Sequence, residues 1–274
     1  MRSVRRTGAA VAVGVGALAL HTGVLVPRRL EMPEVPLAVP GWPAALDGLR
    51  VAVVADVHAG APWVPLRRVD ALVERVVRAG PDLIVLMGDH LADVWLGRHL
   101  DPVAVAGSLA ALRRAQVPVV GVLGNHDWYA GGERVRAALE SAGLPVLEDT
   151  AVPVLQDRLW VAGVGDLWER SPSVPAALAG VPDDAPVLLL THNPDVVLDV
   201  PARVPLVLAG HTHGGQLRVL GRPVHRVSRL TGHRFSRAGW YPGERLYVSA
   251  GIGTSTLPLR TVTPQVPVLV VGAA

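Results

Sequence analysis

Short apolar runs rich in Val and Leu recur along most of the chain and are typical of buried β-strands. Five of these runs span Arg50–Ala55, Asp82–Met87, Val117–Leu123, Val187–Leu190 and Pro205–Ala209. Apolar positions recur with helical spacing in the intervening chain, at Leu66–Ala79, Pro102–Ala115 and Glu133–Ala142. This alternation of strands and helices predicts an α/β fold with a largely parallel sheet.

The pattern changes after Gly210 to shorter apolar runs separated by Gly and Pro turns. These runs predict three further strands, at Gln216–Leu220, Arg245–Ser249 and Val266–Val270. Another strand is expected at Leu159–Gly163. Asp166 follows that strand, either in a turn or at the edge of a site.

The first 29 residues differ from the rest of the chain. An uncharged run covers residues 8–26 and is flanked by arginines, at Arg2, Arg5 and Arg6 before it and at Arg28 and Arg29 after it. Nineteen helical residues measure about 28 Å, close to the apolar thickness of a bilayer. We therefore expect a membrane anchor over residues 1–29, with the rest of the chain outside the cell membrane because more positive charge precedes the run. A cleaved export signal that leaves a secreted protein, and a buried N-terminal helix, are the alternatives.

Residues 30–48 contain four prolines and predict a linker or an extended approach to the fold. One domain is expected to follow over residues 49–274. Half of the 274 residues are hydrophobic, so the chain can bury a substantial core.

Composition restricts the chemistry that the chain can perform. The absence of cysteine excludes disulfides and thiolate metal sites, and the remaining ligand types suit manganese, iron or zinc. Every basic residue is arginine, and a net charge of +3 is too small to indicate nucleic-acid binding. An arginine-rich segment from Arg218 to Arg245 is a candidate for contact with phosphate-type anions or lipid headgroups, and a solvated loop is the alternative.

Residues of metal-binding types follow all five buried runs. They are Asp56 and His58 after the first, Asp89 after the second, Asn125, His126 and Asp127 after the third, His192 after the fourth, and His211 and His213 after the fifth. Ligands of open α/β sheets bind at the carboxyl ends of the strands. We therefore expect these side chains to converge in one cleft.

The residue types are those that a two-metal site requires. Two divalent cations about 3.5–4 Å apart are held together by a shared carboxylate, and Asp89, which follows a glycine alone, is the natural bridge. Asp56 and His58 are two residues apart, so an extended backbone would turn both side chains to one side; a tight turn after Asp56 is the alternative. The other candidate ligands are Asn125, His192, His211 and His213.

In order along the chain, D-x-H, G-D, G-N-H-D, a late H and G-H-T-H resemble the signature of the calcineurin-like metallophosphoesterases. The resemblance covers Leu49 to about Val271. The sequence GHTHGGQ at Gly210–Gln216 is similar to one bacterial branch that is often membrane-anchored or exported. The family's fold, a two-sheet α/β sandwich flanked by helices, is therefore expected here.

The resemblance also implies a role for each residue. One metal ion would be held by Asp56, His58, Asp89 and His213, and the other by Asp89, Asn125, His192 and His211. His126 would face the substrate as general acid, with Asp127 orienting it. Trp128 and Tyr129, which follow directly, are expected either in the substrate cleft or in the core.

The expected reaction is hydrolysis of a phosphodiester by a hydroxide held between two divalent metal ions. The alternatives are a pyrophosphatase acting at the membrane on a nucleotide–glycolipid, similar to UDP-diacylglucosamine, and a non-catalytic metal-binding envelope protein. The expected partners are a phosphate ester, lipid-linked in one alternative, and the membrane through the N-terminal helix. Nothing in the sequence implies nucleic acid or a partner protein.

Overall fold

The computed structural model describes residues 13–224 and 228–274. Its strands in these ranges are β1 Glu34–Val39, β2 Leu49–Val54, β3 Leu83–Met87, β4 Val119–Val122, β5 Thr150–Val154, β6 Leu159–Gly163, β7 Val187–Thr191, β8 Leu206–Ala209, β9 Arg218–Val219, β10 Arg222–Pro223, β11 Gly239–Tyr241, β12 Leu246–Val248 and β13 Val268–Ala273. After an N-terminal helix that covers residues 13–28, the helices are α1 Leu66–Arg78, α2 Pro102–Ala110, α3 Asn125–Tyr129, α4 Gly132–Ser141 and α5 Val174–Leu178.

The larger strands form two sheets. The first has the order β1-β13-β2-β3-β4 and the second β11-β12-β8-β7-β6-β5, while β9 and β10 form a separate hairpin. In each sheet the central strands are parallel, β2 to β3 to β4 and β6 to β7 to β8. The predicted two-sheet α/β sandwich flanked by helices is confirmed, whereas strand–helix alternation alone had indicated one largely parallel sheet.

Both faces of β2 are buried from Val51 to Val54, which explains the continuous apolar sequence there. Val51 and Val53 pack into the core between the sheets, together with residues of β7 and β8. Ala52 and Val54 lie on the opposite face, in a core that includes the apolar sides of α1, α2 and α4. A third apolar core covers the outer face of the second sheet. The ends of β2 are therefore held rigidly on both sides.

The proline-rich segment 30–48, expected as a linker or an extended approach to the fold, contains an edge strand. Residues 34–39 form β1, which pairs in parallel with β13, and Leu37 and Val39 are buried. Pro36 is tolerated because β1 is the outermost strand of its sheet, where a missing N–H leaves no ladder partner unpaired. The fold thus begins before Leu49, and sequence alternation alone did not reveal this edge strand.

The N-terminal helix ends against the rest of the protein. The Thr22 carbonyl accepts a hydrogen bond from the Arg260 amide at 2.8 Å, and the Gly23 carbonyl accepts one from Trp63 Nε1 at 2.8 Å. Within the described part of the chain, no helix combines the length and apolar character needed to cross a bilayer. Residues 1–12 of the expected anchor, and Arg226 of the arginine-rich segment, lie outside the described residues.

Candidate metal centre

The candidate ligands lie where both sheets present the carboxyl ends of their parallel strands. β2, β3 and β4 of the first sheet and β7 and β8 of the second lead into Asp56, Asp89, Asn125, His192 and His211 respectively. Backbone hydrogen bonds join neighbouring loops, for example from the Gly210 amide to the His192 carbonyl at 3.0 Å. Residues far apart in the sequence are thereby brought into one cleft.

One group of four buried side chains has ligand atoms that all lie within 4.8 Å of one another: Asp56, His58, Asp89 and His213. His58 Nε2 lies 3.1 Å from His213 Nε2 and 3.4 Å from Asp89 Oδ2. His213 Nε2 lies 3.5 Å from Asp56 Oδ1. Two carboxyl and two imidazole groups form a ligand set that manganese, iron and zinc accept.

A second group adjoins the first through Asp89. His192 Nε2 lies 3.3 Å from Asp89 Oδ2, the same oxygen that faces His58. His211 Nδ1 lies 3.1 Å from Asn125 Oδ1 and 3.3 Å from His192 Nε2. One carboxylate oxygen therefore lies between two sets of donors, which is the arrangement that a bridging ligand requires.

Five candidate ligands have a left-handed backbone, with φ of 49° at Asp56, 45° at His58, 54° at Asp89, 67° at His211 and 51° at His213. Each such non-glycine residue costs on the order of 1 kcal/mol or more and persists only where its surroundings enforce it. Asp56 and His58 thus follow the tight-turn alternative rather than the extended one. Strained residues concentrated in this way are typical of functional sites.

Neighbouring glycines allow the loops to approach the ligands. A Cβ at position 124 would lie 2.7 Å from His192 Cε1, and one at position 253 would lie 2.6 Å from both His58 Cβ and the Val57 carbonyl oxygen. Non-bonded carbon atoms do not approach this closely without displacement. These loops therefore require glycine in order to hold the imidazoles in place.

Gly253→Ala is accordingly expected to weaken manganese binding about 10–100-fold, because the added methyl group must displace His58. Titration calorimetry on metal-depleted protein measures this affinity. Gly107→Ala is the matched control, since a Cβ at that helical position has no atom within 4 Å. Equal manganese affinity in the two variants would show that His58 tolerates the displacement.

Burial and mutual charge set the protonation of these groups. Burial lowers the pKa of His58 and of His211 to about 3, so both imidazoles are neutral at pH 7 and each keeps a lone pair for a cation. Burial likewise raises the pKa of Asp56 to about 7. Burial also opposes the ionisation of Asp89, but the charge of His192 outweighs it and holds the pKa of Asp89 well below its usual range.

The pKa of His192 is raised, whereas the pKa values of His58 and His211 are lowered. Burial favours its neutral form, but the attraction of Asp89 raises the pKa of His192 to about 10. Its Nδ1 lies 2.8 Å from the Met87 carbonyl, to which it donates, so Nε2 is directed toward Asp89. A metal ion bound at His192 must replace the Nε2 proton, and binding is therefore coupled to proton release.

The residues present fit divalent cations. Asp56 Oδ2 is buried and has no hydrogen-bond partner among the described residues, a costly state for a carboxyl oxygen that a cation relieves. His58 and His213 direct their Nε2 atoms at each other, although two neutral rings share at most one proton there. All the donors are nitrogen or oxygen, as the lack of cysteine requires.

Arg260 supports the metal site by hydrogen-bonding the backbone of the loops around it, a role that the sequence did not indicate. Its side chain is fully buried, and its guanidinium donates to the carbonyls of Ala250 at 2.6 Å, Val262 at 2.9 Å, His213 at 3.5 Å and Gly253. It thus ties a ligand-bearing loop to the loop that covers His58. No local pattern predicts this burial, because the neighbouring residues Leu259 and Thr261 are half-buried and exposed.

His126 lies at the cleft, and Asp127 lies between the loops that follow β3 and β4. The His126 ring is half-buried beside the cleft, with Nδ1 3.1 Å from the Asp93 carbonyl. Asp127 is fully buried and accepts hydrogen bonds from the amides of His90 at 2.8 Å, Leu91 at 3.1 Å and Gly124 at 3.0 Å. Asp127 therefore joins the loops after β3 and β4, and the Asp93 carbonyl accepts the hydrogen bond from the His126 ring. That Asp127 orients His126 stays a prediction.

Aromatic residues border the cleft. Tyr129 is exposed, and its ring meets the His126 ring edge to face with 5.4 Å between the ring centroids, whereas Trp128 is half-buried against the core on the outer face of the first sheet. The Trp168 ring meets the His211 ring edge to face, with 4.3 Å between the ring centroids. Asp166 is buried, and its Oδ1 accepts from the amides of Trp168 and Glu169, so it forms a turn at the edge of the site.

The fold and the site together define a class, that of two-sheet α/β proteins with buried carboxylate and imidazole ligands for metal ions. Residues 49–215 match the family model described as calcineurin-like phosphoesterase. The chain belongs to this family and is a metal-dependent phosphoric ester hydrolase.

Several relatives span most of this chain. It is 33% identical to the Escherichia coli protein named phosphodiesterase YaeI, over 75% of each chain, and 32% identical to an Aquifex aeolicus metallophosphoesterase, over 81% of this chain and 84% of that one. It is 29% identical to a zebrafish transmembrane protein with metallophosphoesterase domain over 94% of this chain, which spans 60% of the zebrafish protein. The solved structure of Bacillus subtilis calcineurin-like phosphoesterase YfkN aligns with a TM-score of 0.42 at 12% identity, over 80% of each chain.

Proposed function

We propose that this protein is a binuclear phosphodiesterase. The observation that carries the proposal is the position of Asp89 Oδ2, 3.4 Å from His58 Nε2 and 3.3 Å from His192 Nε2. In this proposal Asp56, His58, Asp89 and His213 hold one ion, and Asp89, Asn125, His192 and His211 hold the other. Nitrogen and oxygen ligands of this kind favour manganese, iron or zinc.

Two divalent cations at these positions would activate water and neutralise charge on the phosphoryl oxygens. The protein's own side chains and loops hold the ligands in position. Asp89 Oδ1 accepts a hydrogen bond from the His126 amide at 2.9 Å, so the bridging carboxylate and the His126 backbone are held in fixed relation. Arg260 and the strained loops keep the donors in place before substrate arrives.

His126 is the proposed proton donor to the leaving oxygen. Its ring lines the same cavity as Asp89, Asn125 and His211, and it meets the His58 ring edge to face at 4.8 Å. Nδ1 donates to the Asp93 carbonyl, which leaves Nε2 to exchange a proton with a substrate. A general acid in this position accelerates a reaction by about 10²–10⁴-fold.

A diester substrate is supported by the name of the Escherichia coli relative, which states that activity for that protein. We also propose that residues 1–29 anchor the protein to the cell membrane with residues 49–274 outside, a reading that the name of the zebrafish relative supports. Secretion after cleavage is the alternative. Cell fractionation together with the mass of the mature N-terminus distinguishes the two.

The function is tested by loading metal-depleted protein with manganese and assaying bis(4-nitrophenyl) phosphate and 4-nitrophenyl phosphate. We expect two bound ions per chain and a higher kcat/KM for the diester than for the monoester. Preferred cleavage of the monoester would assign a phosphomonoesterase instead. Two bound ions without hydrolysis of either ester would support a non-catalytic metal-binding protein.

A further inference from the structure

The N-terminal helix joins the rest of the protein at the same end as the metal cleft. β1 is parallel to β13, and β13 is antiparallel to β2, so β1 begins at the end of the sheet where β2 finishes. Just before β1, the Gly23 carbonyl accepts the hydrogen bond from Trp63, which lies in the loop after β2. In the anchored protein proposed above, the surface around this junction therefore faces the bilayer.

Arginines collect at this junction around Trp63. One cavity beside the indole has a volume of about 510 Å³, and none of the described residues that line it is acidic. An adjoining cavity shares Trp63 and one of the arginines with the first. The arginines that line the two cavities, here called the Trp63 surface, are Arg28, Arg67, Arg68, Arg75 and Arg98.

Backbone carbonyls, rather than carboxylates, hold the more buried of these arginines. Arg68 donates to the carbonyls of Trp63 and Arg29, each at 2.9 Å, and Arg75 donates to the Leu30 carbonyl at 3.0 Å. Burial is the main cause of the lowered pKa of Arg68, and the charge of Arg28 adds to it. The positive charge of this surface is therefore not balanced by these contacts.

Two arginines of the Trp63 surface are available to a ligand. Arg67 and Arg98 are exposed, and neither guanidinium has a hydrogen-bond or ion-pair partner among the residues that the structure describes. The nearby Glu74 of α1 pairs instead with Arg78 and Arg114. A free guanidinium forms two parallel hydrogen bonds to phosphate oxygens, so both side chains suit a phosphate-bearing partner.

Exposed apolar side chains border the free arginines. Trp95 is 67% and Leu96 63% exposed, and Leu96 lines the same cavity as Arg67 and Arg98. At a bilayer surface, apolar side chains enter the boundary of the acyl chains, tryptophan lies at the level of the headgroups, and arginine contacts their phosphates. The combination fits an anionic bilayer better than a small soluble anion, which would leave these apolar side chains in water.

The loop that carries Trp95 and Leu96 also reaches the metal cleft. Its Asp93 carbonyl accepts the hydrogen bond from the His126 ring at 3.1 Å. The Arg98 amide donates to the Gly60 carbonyl at 2.7 Å, which fixes the other end of the loop near Trp63. Contact between this loop and a bilayer would therefore place the proposed proton donor close to the headgroups.

We propose that the Trp63 surface binds the phosphate groups of anionic phospholipids in a bilayer and thereby holds the metal cleft against the membrane. The proposal rests on the membrane anchor proposed above and adds a second contact with the bilayer, outside residues 1–29 except for Arg28. An anionic bilayer strengthens binding about fivefold for each arginine near its surface. Arg67 and Arg98 together should therefore account for roughly 30-fold.

The test places an environment-sensitive fluorophore on a single cysteine at Leu96→Cys, since the chain has no cysteine of its own. The whole chain is reconstituted in vesicles of phosphatidylcholine, with or without phosphatidylglycerol. We expect the emission to shift to shorter wavelength only when phosphatidylglycerol is present, because the loop then enters the less polar interface. Salt at about 1 M should reverse most of the shift, since it screens charges more than about 3 Å apart.

Arg67→Gln combined with Arg98→Gln is expected to remove most of the shift, whereas Lys at both positions should retain it because the charge is kept. The matched control is Arg158→Gln combined with Arg203→Gln. These two exposed arginines precede β6 and β8, at the opposite end of the parallel strands from the cleft. A fluorophore at Asp183→Cys, which precedes β7 at that same end, should show no shift.

Three results would overturn the proposal: no shift with phosphatidylglycerol, an equal shift in phosphatidylcholine alone, or a shift that survives both Gln substitutions. Reversal of the shift by inorganic phosphate, but not by chloride at the same ionic strength, would assign a site for a small phosphate instead. Failure of the proposed anchor is a separate result, namely protein that does not float with phosphatidylcholine vesicles.

Discussion

Asp89→Asn is expected to lose both metal ions and at least about 10³-fold in kcat/KM, or roughly 4 kcal/mol of transition-state stabilisation. The carboxylate oxygen that faces both His58 and His192 would become either a neutral carbonyl oxygen or an NH₂ group. Neither can balance the charge of two adjacent cations. Metal analysis after dialysis and the bis(4-nitrophenyl) phosphate assay measure the two losses.

Asp183→Asn provides the control for this change. Asp183 is exposed, so the same loss of one negative charge there should leave metal content and activity unchanged. Thermal unfolding of both variants separates loss of metal from loss of fold. If Asp89→Asn retained two ions per chain, Asp89 would not be the bridge.

His126→Ala is expected to keep both metal ions and lose about 10²–10⁴-fold in turnover. Its ring belongs to neither proposed ligand group and instead hydrogen-bonds the Asp93 carbonyl, so its removal leaves the donors in place. A protonated imidazole donates to the leaving oxygen, and without it that oxygen departs as an anion. Metal content and kcat, measured on one preparation, test both halves of this expectation.

Substrates with leaving groups of different basicity test directly whether His126 donates a proton. The weakly basic 4-nitrophenolate needs little protonation, whereas the alkoxide released from 2′,3′-cyclic AMP needs it fully. The loss in His126→Ala should therefore be larger for the cyclic nucleotide. His99→Ala is the control because His99 is exposed and outside the cleft. A loss independent of the leaving group would remove proton donation from the role of His126.

Much of the fold follows from local pattern. β2 and β3 are buried on both faces, so their sequences are apolar apart from Arg50, and their ends were predicted to within a residue. β1 and β5 were not predicted, because they are edge strands with only partial burial and each contains a proline. Local sequence thus identifies the strands at the centre of each sheet better than those at its borders.

The candidate ligands are prominent in the sequence because each follows a buried run and has little value for packing. Asp127 shows the limit of this signal. The resemblance implied that it orients His126, and in the structure its carboxylate accepts hydrogen bonds from the amides of His90, Leu91 and Gly124. His126 and Asp127 are consecutive residues of the helix α3, in which consecutive side chains point in different directions.

The metal site around Asp89 was predicted in part from the sequence and decided in part by the tertiary structure. The chain's order of Asp, His and Asn residues after apolar runs, and its lack of cysteine, already predicted a metal site with nitrogen and oxygen ligands and the residues proposed to form it. Only the tertiary structure decided that the ligands come from two facing sheets and that Arg260 bonds the loops around them. Those contacts join positions separated by tens to hundreds of residues, and no periodicity in a single sequence encodes such distances.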